Sequence, residues 1–230
     1  MKRKVKSISR TTFATTYQKK PSTIFRFKPI ALVASLVLLE VALSCGSLNV
    51  GEAQPQDICS CTPLEPDFAD YRHAEKHIPI PIGASDITID TIYTWAQTDP
   101  VSLDPPRTGN ELKVFHIAVA FLQEASVNSV DCDIHLEISQ TADKKARRII
   151  VETPVDSEFC SARKNIQAQL AQHGVRLDAE HGGELPQALP ADVLGMAFED
   201  FDHNAVGLQR GSPQVLTVWE LHPATVNLLP

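Results

Sequence analysis

Two short segments of the sequence contain carboxylates and histidines at spacings suited to binding a metal ion. Asp131, Asp133 and His135 occupy alternate positions in one segment, and Glu220 and His222 do so near the C-terminus. Alternate residues of a β-strand face the same way and lie about 6.8 Å apart. Carboxylate oxygens and imidazole nitrogens are ligands for divalent metals. The five residues are therefore a candidate metal site, provided that the fold brings the two segments together.

Both segments also have simpler interpretations, which the sequence leaves open. Alternating polar residues are typical of any strand with one solvated face. Glu220 and His222 could instead hydrogen-bond to loop backbone where a barrel closes, because buried polar groups need partners. His203, in a polar turn, is a further candidate ligand. No cofactor other than a divalent metal is expected.

Five strands and one helix are predicted to position these residues. Runs of β-branched and aromatic residues, or strict alternation, predict strands over 114–122, 131–138, 148–153, 193–198 and 215–222, the last ended by Pro223. A helix starts near Asp156 or Ser157 and ends before Gly174, since its apolar residues recur every three or four positions.

The order β-β-β-α-β-β predicts a mainly β (α+β) domain, an OB-like five-stranded barrel over residues 111–230. The helix is expected to plug the open end of the barrel. The competing architecture is an α+β sheet with the helix on one face.

Residues 1–45 have the pattern of a signal peptide or membrane anchor. Nine of the 21 Lys and Arg precede Pro29, and the apolar run 30–39 follows directly. Ten helical residues span about 15 Å, half of a bilayer core of roughly 30 Å, which suits a signal peptide. An uncleaved anchor over 29–50 is the alternative, and either places the domain outside the cytoplasm, in the periplasm, on the membrane or secreted.

The cleavage site has two interpretations. Residues 43–46 resemble a lipoprotein box, in which Cys45 would carry the lipid. Residues 51–53 offer an ordinary small-x-small site. The membrane is therefore a partner of the N-terminal segment if that segment is lipidated or stays uncleaved.

Residues 46–110 are rich in proline and are predicted to be a linker, in which 87–95 forms one strand or lies against the domain. Four cysteines follow Cys45, and an even number in an exported chain predicts disulfides with open connectivity: Cys59, Cys61, Cys132 and Cys160. Zinc binding is the other explanation for these cysteines.

One combination of segments resembles a group of uncharacterised bacterial exported proteins. It comprises D-x-D-x-H at 131–135, the strand 148–153, the segment 198–203 and E-x-H-P at 220–223. The resemblance covers roughly residues 107–227. It implies a small β-barrel-like domain, and it implies no activity, because the group has none established.

Charge and motifs favour a non-enzymatic binding or interaction domain of the cell envelope, whose ligand or protein partner is unknown. Beyond Cys45 there are 12 Lys and Arg against 27 Asp and Glu, a formal charge of −15, which disfavours a nucleic-acid-binding OB domain. No Gly-x-Ser-x-Gly elbow or P-loop occurs in the sequence. A metal-dependent hydrolase using the five candidate ligands is the alternative function.

Overall fold

The structure is a computed structural model that describes residues 57–62, 72–98, 105–200 and 212–230. The predicted leader over 1–45, Cys45 and His203 lie outside the described residues.

The described residues form three short or medium helices and six strands. In chain order these are α1 (His73–Lys76), β1 (Ser85–Asp86), α2 (Ile89–Ile92), β2 (Val114–Val127), β3 (Ile134–Ser139), β4 (Arg148–Thr153), α3 (Cys160–Gln172), β5 (Gly183–Glu199) and β6 (Trp219–Leu228). Short 3-10 turns over Gly109–Leu112 and Ser157–Phe159 precede β2 and α3.

Strands β2 to β6 close into a five-stranded barrel. Strand β2 pairs antiparallel with both β3 and β5, β3 with β4, and β5 with β6, while β4 and β6 run parallel. The spatial order is thus β2-β3-β4-β6-β5 and back to β2, with α3 between β4 and β5 in the chain. This confirms the OB-like β-β-β-α-β-β barrel rather than an open α+β sheet.

The apolar residues that alternate along β3 form part of the core of the barrel. Ile134, Leu136 and Ile138 are fully buried, and Ile166 and Leu170 of α3 join the same apolar cluster. The opposite face of β3 is largely covered, whereas a solvated face was one of the interpretations that the sequence left open. Glu137 is 0% exposed, because other polar side chains cover it.

The last two strands differ from their predicted bounds. Strand β5 starts ten residues earlier than predicted, within a segment that was predicted to be a loop. Strand β6 runs through Pro223 instead of ending there. Its register against β5 shifts at Gly195–Ala197, opposite this point, and a bulge tolerates a residue without an N–H group. The prediction that Pro223 stops the strand is therefore wrong.

The described parts of residues 46–110 pack against the barrel. Ile58, Ile89 and Ile92 are buried in the main apolar cluster. Residues 87–95 contain α2 rather than a strand, because Thr88 caps the helix by accepting a hydrogen bond from the Thr91 N–H. The expectation that this segment lies against the domain is met.

Two disulfides connect this N-terminal part to the barrel domain. They join Cys59 to Cys160 and Cys61 to Cys132, which settles the connectivity that the sequence left open. Disulfides are typical of proteins in an oxidising, extracytoplasmic compartment. Among the described residues, none of the helices has the length and apolar character needed to cross a bilayer.

Candidate metal centre

Three side chains from distant parts of the chain are buried beside one another. His77 follows α1, Asp133 precedes β3 and His222 lies in β6, and their side chains are 7%, 0% and 0% exposed. Asp133 Oδ2 lies 3.1 Å from His222 Nε2 and 3.8 Å from His77 Nε2. We use the name metal centre for these three residues as a candidate site, because each offers a ligand atom within 4.8 Å of the other two. Ligands of a tetrahedral zinc ion with bonds of about 2.1 Å are separated by about 3.4 Å.

The three atoms that face one another have no hydrogen-bond partner. This holds for His77 Nε2, Asp133 Oδ2 and His222 Nε2, all of which are buried. The 3.1 Å pair is close enough for attraction between charges, but it is not aligned as a hydrogen bond. Most buried polar atoms in proteins are hydrogen-bonded, so three exceptions in one place indicate a site for an ion or a water molecule.

The opposite ring nitrogen of each histidine does have a partner. His77 Nδ1 lies 2.6 Å from Asp156 Oδ2, and His222 Nδ1 lies 2.9 Å from Glu152 Oε2. Metal-binding histidines typically donate their second N–H to a carboxylate, which fixes the tautomer and leaves the other nitrogen for the metal. Both histidines of the metal centre have this arrangement.

Asp133 is oriented in a comparable way. Its Oδ1 accepts a hydrogen bond of 2.8 Å from the Val155 N–H, which leaves Oδ2 directed at the two imidazoles. All three ligands are therefore held from behind by the protein.

A second group of potential ligands surrounds the far side of His222. Glu152, Glu220 and the Nδ1 of His222 also lie within 4.8 Å of one another, with Glu220 Oε1 3.4 Å from Nδ1. His135 Nδ1 contacts Glu152 Oε1 at 2.9 Å. We interpret these residues as a group that holds His222 in place and not as a second ligand set, because their carboxylate oxygens are already paired with imidazole nitrogens.

Charge in this supporting group is strongly paired. Burial disfavours the ionised form of Glu152, but the imidazoles of His135 and His222 outweigh burial and hold the pKa of this carboxyl well below its usual range. Burial disfavours the cation of His135, yet Glu137 and Glu152 raise its pKa to about 10. Burial disfavours the cation of His222 as well, yet the carboxylates of Asp133, Glu152 and Glu220 raise its pKa well above the usual value.

The five residues predicted from the sequence have different positions. Asp133 and His222 come together in the metal centre, and Glu220 and His135 belong to the group behind His222. Asp131 belongs to neither group of potential ligands among the described residues. It accepts hydrogen bonds from the Asp133 N–H at 2.9 Å and from Asn128 Nδ2 at 3.0 Å, and so shapes the turn before β3. The predicted alignment of 131, 133 and 135 on one strand face is wrong, because β3 begins only at Ile134.

Three residues of the arrangement were not among the predicted ligands. His77 lies in the segment interpreted as a linker, where its only sequence signal is a second histidine four positions earlier, His73. The rings of these two histidines lie close together, with centroids 3.9 Å apart and planes inclined by 34°. Glu152 was assigned to a strand and Asp156 to a helix start, and no spacing rule links either to His222.

A buried arginine brings α1 and β6 together. Arg107 donates hydrogen bonds to the carbonyl oxygens of Glu75 and Ala197 at 2.6 Å, and to that of His222. Its guanidinium also lies 5.1 Å from the ring centroid of Phe198, a cation–π distance. Burial lowers the pKa of Arg107 to about 10, so it remains a cation at neutral pH. Arg107 thus fixes the backbone on both sides of the metal centre.

Comparisons with protein-family models, with curated proteins and with solved structures found no match to this chain. The function must therefore be argued from the site, and the fold alone gives no function. Two imidazoles and one carboxylate form a ligand set that zinc uses in proteins, with a fourth position left for another ligand.

Proposed function

We propose that this protein is an exported cell-envelope domain that binds one divalent transition-metal ion, and that Zn²⁺ is the ion. The ligands are His77 Nε2, Asp133 Oδ2 and His222 Nε2. One observation carries the proposal. The three facing atoms are buried without hydrogen-bond partners, while the atom behind each of them has one.

The chemistry of the ligands favours zinc over the alkaline-earth ions. Ca²⁺ and Mg²⁺ prefer sites built from oxygen, whereas imidazole nitrogen suits zinc, copper, iron and nickel. The distances of 3.1 and 3.8 Å from Asp133 Oδ2 bracket the ligand separation of a tetrahedral zinc ion. Copper binds most such sites more tightly than zinc, so affinity alone does not choose between these two metals.

The proposal that the protein is exported rests on other observations. The basic leader and the apolar run 30–39 have the pattern of a secretion signal, and the two disulfides suit an oxidising compartment. A binding role agrees with the burial of all three ligands.

The second candidate, a metal-dependent hydrolase, is favoured by the three-ligand set, which leaves a coordination position for water.

Metal titration of the full chain with its disulfides formed tests the proposal. After treatment with a chelator and dialysis, we expect isothermal titration calorimetry and elemental analysis to give one zinc ion per chain. The variants His77→Ala and Asp133→Asn remove one ligand each. The control is His173→Ala, at the exposed C-terminal end of α3. Failure of the wild type to bind zinc, or equal binding by all three variants, overturns the proposal.

A further inference from the structure

The ligand Asp133 directly follows a cysteine that is part of a disulfide. Cys132 is bonded to Cys61, which lies in the segment preceding α1. Cys132 is fully buried and has a φ of 71°, in the left-handed region that side chains other than glycine rarely adopt. Such a conformation persists only where the surroundings hold it.

The contacts of Cys132 show what holds it. Its N–H donates a 2.8 Å hydrogen bond to the Asn128 carbonyl, and its carbonyl accepts one of 2.8 Å from Arg163 Nη2. The same guanidinium donates to the carbonyl of Ile58, in the segment that contains Cys61. The disulfide is the covalent part of this arrangement, and the next residue in the chain is the carboxylate ligand.

We propose that the Cys61–Cys132 disulfide controls the metal affinity of the protein by placing Asp133, so that the site binds zinc tightly only in the oxidised chain. This inference rests on the proposed function. On oxidation, the two thiols lose two protons and two electrons and form the S–S bond. A disulfide oxidant accepts them and is released as two thiols. A chain still in a reducing compartment then competes poorly for zinc.

The other disulfide provides a matched control. Cys59–Cys160 joins the same N-terminal segment to the first residue of α3, and neither cysteine adjoins any of the three ligands. Both disulfides tether the segment, so an effect on tethering or on general stability is common to both. An effect on zinc affinity that acts through the position of Asp133 should appear only when the Cys61–Cys132 bond is removed.

The first experiment compares zinc affinity in the full chain carrying C61S/C132S or C59S/C160S. We expect C61S/C132S to weaken zinc binding by about tenfold to a hundredfold, the usual cost of losing support for a metal ligand, and C59S/C160S by less than about threefold. Serine is used so that no free thiol binds zinc. Equal losses in the two variants overturn the inference. Absence of zinc binding by the wild type instead overturns the proposed function.

The second experiment uses the wild type and so does not depend on the folding of a variant. Coupling between two equilibria is reciprocal, so zinc that binds the oxidised chain more tightly must also stabilise the Cys61–Cys132 bond against reduction. The chain is incubated with a phosphine reductant with and without zinc, alkylated and analysed by mass spectrometry. We expect zinc to protect Cys61–Cys132 and to leave Cys59–Cys160 unaffected. Equal protection of both bonds, or of neither, contradicts the inference.

Discussion

Two clusters of buried charge in this barrel differ in the atoms that they leave without a partner. In the metal centre, two imidazole nitrogens and a carboxylate oxygen are unpartnered, and these are atom types that can bind a cation when the imidazoles are neutral. In the second cluster, called the Glu137 cluster and formed by the buried Glu137 and Arg148 with the half-exposed Glu184, both oxygens of Glu137 accept hydrogen bonds. Its unpartnered atom is Arg148 Nε, a donor.

This difference separates a ligand site from a structural ion pair. A cation can be held by unused lone pairs but not by an unused N–H. In the Glu137 cluster, burial opposes ionisation, but His135, Ser212 and Arg148 outweigh it and lower the pKa of Glu137 to about 2. The protein therefore satisfies this carboxylate by itself, whereas the three facing atoms of the metal centre have no hydrogen-bond partner among the described residues.

The largest effect is expected in the Glu137 cluster, from Arg148→Ala. This side chain is 2% exposed, and removing it leaves the carboxylate of Glu137 buried with less compensation. The expected loss is about 3–5 kcal/mol in the free energy of unfolding, with or without zinc. Urea denaturation in the presence of a chelator measures it.

The neighbouring residue is the control for this variant. Arg147 pairs with Asp90 at the surface, and its side chain is 47% exposed, so Arg147→Ala should cost no more than about 1 kcal/mol. Similar losses for the two arginine variants would contradict the structural role of the Glu137 cluster.

In the metal centre, the expected effect is on the stability that the protein gains from binding zinc. At a free zinc concentration of 100 times Kd, the wild type should gain about 2.7 kcal/mol in the free energy of unfolding. Asp133→Asn should lose this gain, because the amide replaces the negative ligand atom. Thermal denaturation with and without zinc checks the prediction, and a zinc-dependent gain retained by Asp133→Asn would count against the site.

The support behind the ligands should have a smaller effect. Asp156→Asn removes the carboxylate that contacts His77 Nδ1, and we expect it to weaken zinc binding by about tenfold to a hundredfold. Glu158→Gln, on an exposed carboxylate two residues later, is the matched control. Zinc competition with a fluorescent chelator measures both. An unchanged affinity in Asp156→Asn would indicate that His77 is not a ligand.

The smallest effect lies outside both clusters, at Asp178. Burial raises the pKa of this carboxyl, but hydrogen bonds led by that from His181 outweigh it and lower the pKa from 3.8 to about 2. A lowered pKa stabilises the fold above pH 3.8, and this contribution is lost as the pH falls towards 2.

The variant Asp178→Asn isolates this contribution. Because its partners His181 and Arg176 are about half exposed, solvent screening limits the effect to about 1 kcal/mol. Asp178→Asn should be less stable than the wild type at pH 6 and equal to it near pH 2. Urea denaturation at the two pH values tests this, and a stability difference independent of pH would contradict it.

The sequence predicted the barrel because its strands alternate and because one helix interrupts their order. It predicted only part of the metal centre. Asp133 and His222 were among the predicted ligands, because carboxylate and imidazole stood out in strand-like segments. Their contact depends on the parallel pairing of β4 with β6, which joins distant segments and leaves no local pattern.

His77 could not be predicted for a different reason. Prolines surround its segment, and local propensity indicates a linker there. What holds the segment in place is buried polar contacts with distant residues, such as the 2.7 Å ion pair between Arg72 and Glu111. Tertiary contacts of this kind have no periodicity in the sequence. The leader and the resemblance to exported proteins stay predictions.

The proposed site can form only in a chain that extends through the last strand of the barrel, because His222 lies in β6. Both disulfides use cysteines that precede β5, so a chain that stops before β6 still contains every half-cystine. Such a product lacks His222, and with it the strand that closes the barrel between β4 and β5. Bound zinc would therefore distinguish a finished molecule from an oxidised but truncated one, a distinction that no thiol assay can make.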